Sequence, residues 1–132
     1  MKIMKLRAWG IISLVFASSL GGSQWLAAEQ KFPDVLNVKV VARGDSIFDF
    51  DATLSSPYDS AKRYADAFRV MDRDGKVYAE RVLLHDHANE QPFTRDLHGV
   101  KIPTSIRRVI VQGRDQKFGY GGKTFELTLP TR

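Results

Sequence analysis

Cysteine is absent from all 132 residues. That one absence removes disulfides, thiolate metal ligands, iron–sulfur centres and thiol nucleophiles together, so stability must come from packing. Both tryptophans, Trp9 and Trp25, fall within the first 28 residues, and none follows. Beyond Ala28 there is no long apolar run and no convincing amphipathic helix, apart from a single turn near Ser60 to Arg63. A Gly-x-Ser-x-Gly elbow is missing and no Ser/His/Asp order stands out, so no enzyme is expected.

What is present begins with an address. Lys2, Lys5 and Arg7 make a basic start, Ala8 to Leu20 is mostly apolar and uncharged, and Ser23 to Ala28 ends in small residues. This is the pattern of a helical secretory signal peptide over 1–28, with cleavage expected after Ala28 and Gly21-Gly22-Ser23 as a second place to cut. The rival reading is a retained anchor, since Ala8 to Ala28 is a stretch of 21 uncharged residues and a span needs roughly 20. No cysteine follows the run, which excludes a lipid-modified cysteine at a new N-terminus. Localisation is therefore expected to be periplasmic or secreted, with no membrane contact once the leader is cleaved.

The leader also changes the meaning of the charge. The net +5 falls to +2 when Lys2, Lys5 and Arg7 are removed, because residues 1–28 hold no acid. A nucleic-acid binder keeps a strong basic stripe on its mature domain, so nucleic acid is not an expected partner, and Arg107, Arg108 and Arg114 read as solvated strand and loop charges. The remaining 104 residues (29–132) suit a single domain with one hydrophobic core.

Periodicity after Phe32 is mostly two. Val38 to Ala42 is a short β-branched run closed by Arg43-Gly44-Asp45; in Ile47 to Leu54, Phe48, Phe50, Ala52 and Leu54 share one face and Asp49, Asp51 and Thr53 the other. Pro57 ends that strand. Tyr64 to Met71 and Val77 to Leu84 flank Asp74-Gly75, a hairpin signal because glycine accepts positive φ. Arg107 to Gln112 and Thr124 to Leu129 form a last pair, joined by a loop over Gly113 to Gly122, with Phe125, Leu127 and Leu129 inward. At least six strands and no helix predict an all-β, two-layer antiparallel sandwich, immunoglobulin-like by strand count and length alone.

All three histidines lie in the polar stretch from His85 to His98, which reads as an ordered loop. His85 and His87, two apart at a strand end, would project to one side about 7 Å apart. With Glu90 or His98 they could hold Zn²⁺ or Cu²⁺, ions that accept nitrogen and carboxylate ligands. Set against this, His, Asp and Asn in loops commonly hydrogen-bond nearby backbone. Phe93 offers an apolar anchor, and the five donors of Arg95 could tie down loop carbonyls or grip an anion. Phe118 and Tyr120 would cover a sandwich end or form a contact patch.

Three further patterns fail. Gly119-Tyr120-Gly121-Gly122-Lys123-Thr124 invites a phosphate-loop reading, but Lys117 stands where the first glycine belongs and a strand follows. Aligning Gly75 with a calcium loop's glycine puts Val70 and Arg81 at ligand positions. Asp49 and Asp51 have the spacing of paired glycosidase acids, yet a domain this small leaves little scope for a glycan cleft.

The region from Tyr64 to Pro130 resembles a group of small exported bacterial proteins of unassigned function. The resemblance rests on Asp74-Gly75, Arg81-Val82-Leu83-Leu84-His85-Asp86-His87, Glu90-Gln91-Pro92-Phe93-Thr94-Arg95, Gly99-Val100-x-Ile102-Pro103 and Gly119-Tyr120-Gly121-Gly122. It implies that the His85 loop and the Gly119 turn are defining features at one end of the sandwich, and it implies no activity. The reading that follows is an exported, non-enzymatic binding or accessory module that meets an unidentified protein or small ligand through 85–98 and 113–122, with His85, His87, Glu90, Phe93, Arg95 and Tyr120 as contacts. The alternative is a periplasmic zinc- or copper-binding protein.

Overall fold

The computed structural model describes residues 29–132; the leader expected over 1–28 lies outside the described residues. Seven strands form two antiparallel sheets: β1 (Asp34–Gly44), β2 (Ile47–Ser55) and β5 (Phe93–Lys101) in the order β1-β2-β5, and β3 (Ala65–Met71), β4 (Val77–Val82), β6 (Arg108–Asp115) and β7 (Gly119–Thr128) in the order β4-β3-β6-β7. The chain is an all-β sandwich. Its order is that of an immunoglobulin-type Greek key in which the fourth strand has left the first sheet for the second.

The alternation of β2 is what the sequence predicts. Phe48, Phe50, Ala52 and Leu54 are fully buried and meet Phe68, Val70, Val109 and Val111 of the facing sheet. The core is drawn from residues between Val35 and Leu129, so both layers close within 29–132. Asp45 and Ser46, at φ 56° and 62°, make the two-residue turn from β1 to β2. At Asp72-Arg73-Asp74-Gly75, Asp72 Oδ1 accepts the Asp74 and Lys76 amides, so this is an Asx-stabilised turn. Ser60 to Arg63 is a turn closed by one backbone bridge and holds no helix.

Three expectations are corrected. The strand over Val38 to Ala42 is the middle of a longer one that starts at Asp34. The stretch to His98 is not all loop: Phe93–Lys101 is β5, paired along β2. Its period is hidden by a bulge, where the ladder passes from Phe48↔Val100 to Phe50↔Leu97. Gly99, at φ 71°, donates its N–H to Asp49 Oδ1 there. Last, Gly113 to Gly122 is not a loop. Gly113 and Gly121 face each other in the β6–β7 ladder, and only Gln116 to Phe118 turn the chain.

Candidate functional site

The connection from Leu83 to Pro92 crosses one end of the sandwich between β4 and β5. Its shape is set by three anchors. Asp59, buried in the β2–β3 connection, accepts the Ala65 amide on Oδ1 at 3.0 Å and the His87 amide on Oδ2 at 2.9 Å. Gln91 takes the Ser56 amide on its carbonyl at 2.6 Å and gives its amide N–H groups to the His87 carbonyl and the Ser56 hydroxyl. The His87 ring lies flat on Phe93, with centroids 4.0 Å apart and planes 9° from parallel.

Backbone and side chain of His87 are thus both fixed from below. The His85 ring tilts over it at 4.9 Å, with its own Nδ1 against the Asp86 carbonyl. Glu90 Oε1 stands 3.8 Å from His87 Nε2 and pairs with Arg95, which also donates to the Thr94 carbonyl. The arrangement presents His85, Ala88, Asn89 and Glu90 to solvent above a buried His87. A depression of about 280 Å³ is lined by His85 to Glu90, and a second of about 260 Å³ by Arg81 to His85, His87 and Arg95. The two histidines form their common wall.

His87 is 4 % exposed and its Nδ1 has no hydrogen-bond partner. Burial, then the positive charge of Arg95 and the neighbouring His85, hold its pKa below the ordinary histidine value against the pull of Glu90 and Asp59. A histidine depressed in the folded state favours folding above its unfolded pKa. Stability therefore falls as the pH drops below about 6.5, where the unfolded ring accepts a proton that the folded ring resists. The urea midpoint followed against pH should show this slope, at most about 1.4 kcal/mol per pH unit. His87→Phe, which keeps the stack on Phe93, should flatten it; an unchanged slope would reject the assignment.

The structure brings together five of the expected site residues, His85, His87, Glu90, Phe93 and Arg95, and separates two. His98 lies on β5 five residues beyond Phe93, about 17 Å along the strand, beside Asp96 at 3.4 Å. It cannot complete a ligand set with His85 and His87. Among the described residues, no group of three or more His, Cys, Asp or Glu is placed to hold a metal ion. Tyr120 belongs to the outer face of the four-stranded sheet. Its ring is covered by the Arg69 guanidinium at 3.7 Å, and its hydroxyl is bound to Glu80. Phe93 is 3 % exposed and supports the loop from inside, beneath the His87 ring.

Two of the arginines read from the sequence as solvated charges are paired: Arg114 with Asp66 and Glu80, and Arg108 with Glu126. Sequence reasoning missed Asp59 and Asp115. Both are carboxylates in polar, turn-rich stretches, and nothing local marks them as buried. Asp115 sits at the start of the β6–β7 turn, 1 % exposed, and accepts from Arg63 Nε at 3.1 Å and from the Lys117 and Phe118 amides at 2.8 Å. Arg63 also donates to the Gln30 and Lys31 carbonyls, which fixes the start of the domain to this same end.

The chain is similar to a protein of Halomicrobium mukohataei named "Putative lipoprotein", 34% identical over 90 residues. Those residues are 68% of this chain and 44% of that protein, so the chain spans less than half the length of the curated relative it matches. No family model matches the chain. No solved structure matches it.

Proposed function

We propose that the chain is an exported, non-enzymatic accessory module, periplasmic or secreted, whose His85 to Arg95 end recognises a protein partner or small ligand. The observation that carries this reading is the triple anchoring of the loop. Asp59, Gln91 and Phe93 hold a polar surface of His85, Asn89, Glu90 and Arg95 in one shape on a rigid scaffold, and such pre-ordering lowers the entropic cost of binding. The similarity to a protein named as a lipoprotein supports an exported role. These 132 residues contain no cysteine sulfur to carry a thioether-linked lipid, so that form of attachment is not part of the proposal.

Metal binding is the weaker reading, since His85, His87 and Glu90 do not form a metal-holding group and Glu90 is engaged by Arg95. The recognition surface is tested by placing a photocrosslinking residue at His85 in the full chain, expressed in its own compartment, and another at Lys101 near the opposite end. A product formed from position 85 and lost with Glu90→Ala is expected. Equal products from both positions, or none from 85, would reject the reading.

A further inference from the structure

We propose that the sandwich end carrying Leu84 and Phe118 is a contact surface for an anionic phospholipid bilayer. Leu84 is 81 % exposed and Phe118 43 %, and they stand in two separate connections, β4–β5 and β6–β7. Tyr64 ties both connections to the same end: its hydroxyl donates to the Leu84 carbonyl and its carbonyl accepts the Gln116 amide. Around the Phe118 ring stand the Lys31 and Lys117 ammonium groups, 5.5 and 5.3 Å from its centroid, and the Arg63 guanidinium at 4.9 Å. The ion pairs here are made by Arg63, to Glu29 and Asp115, and by Arg95, to Glu90. Among the described residues, Lys31 and Lys117 make no ion pair.

Exposed apolar side chains flanked by lysines suit the interface of an anionic bilayer, where the first enter the acyl boundary and the second meet the headgroups. The path of the chain points the same way. Arg63 fastens the carbonyls of Gln30 and Lys31 beside Phe118, so the 21 uncharged residues from Ala8 to Ala28 join the sandwich at this end. Any hold of that segment on a bilayer brings Phe118 and Leu84 to its surface. The sequence alone predicts no membrane contact for a cleaved domain; the geometry points to a peripheral one. Leu84 shares the β4–β5 connection with His85, but the proposal calls on none of His85, Asn89, Glu90 or Arg95, and the two readings are tested separately.

The test is co-sedimentation of residues 29–132, which hold both sheets and the core described above, with phosphatidylcholine vesicles and with vesicles containing about a third phosphatidylglycerol. Binding should be about tenfold stronger on the anionic vesicles and should weaken as salt is raised. Phe118→Ser with Leu84→Ser should lower it about tenfold at an unchanged melting temperature, and Lys31→Gln with Lys117→Gln should erase the preference for anionic lipid. Equal partition onto both vesicles, full binding by the serine variant, or competition by soluble glycerophosphate would overturn the proposal. If the vesicle assay fails while the position 85 crosslink survives, only the membrane inference is lost.

Discussion

Alanine in place of Asp115 should cost about 3–5 kcal/mol of unfolding free energy, the range for removing one partner of a buried ion pair. The carboxylate is 1 % exposed and answers three donors at once, Arg63 and the Lys117 and Phe118 amides, with the Tyr58 hydroxyl lying near it without the geometry of a hydrogen bond. Truncation leaves the Arg63 guanidinium, stacked over Tyr58 at 4.2 Å, beside an empty space, and two turn amides unpaired. The same loss releases Gln30 and Lys31, whose carbonyls Arg63 holds. Burial opposes the Asp115 charge, yet the Tyr58, Phe118, Arg63 and Lys117 groups outweigh it and hold its pKa below the ordinary carboxylate value. A carboxylate depressed in the folded state stabilises above the unfolded pKa and loses that contribution as pH falls through the folded one. The gap between wild type and Asp115→Ala, from urea curves followed by circular dichroism, should therefore be full at pH 7 and narrow below pH about 3.8. A gap under about 1 kcal/mol at pH 7 would place Asp115 among ordinary surface pairs.

Asp115 also shows which parts of the molecule the sequence reveals and which it does not. Period-two runs in which every second residue is apolar are legible, so β2 and the hairpin at Asp74-Gly75 emerge directly from Phe48, Phe50, Ala52 and Leu54 and from one positive-φ glycine. Strand β5 is not legible, because the extra residue at Gly99 shifts Val100 out of phase with Phe93 and Leu97, and the donor that fixes the bulge bonds to Asp49 on another strand. The site divides along the same line. His85 and His87 are neighbours in sequence and remain so in space, whereas His98 is carried off along β5 by the strand's rise. Asp59 and Asp115 look like any exposed turn acid, and only the packing of distant segments against them makes them buried acceptors. The glycine run at 119 to 122 misleads for a related reason. Glycine reads as loop, but Gly113 and Gly121 are strand residues kept small by Pro33 and Phe32.

That close approach yields the second large effect, Gly122→Ala, expected to cost about 2–4 kcal/mol. Gly122 sits at φ 79°, in the left-handed region, and a Cβ there would lie 2.3 Å from the Pro33 carbonyl oxygen and 2.9 Å from Phe32 Cβ. The next amide, Lys123, donates to Asp34 Oδ1, so β7 cannot withdraw from the start of β1 without losing that bond. Gly119 separates conformational strain from contact: its φ of 87° is similar, but nothing lies within 4 Å of a Cβ built on it. Gly119→Ala should cost about 1 kcal/mol, the penalty for a left-handed alanine alone. Gly121→Ala should fall between them, because the atoms it meets at 2.6 Å belong to the Phe32 ring, a side chain able to swing. Thermal midpoints should therefore drop least for Gly119→Ala, more for Gly121→Ala and most for Gly122→Ala. Equal drops for Gly119→Ala and Gly122→Ala would mean that the Pro33 carbonyl yields freely, and that β1 and β7 are not locked together at this end.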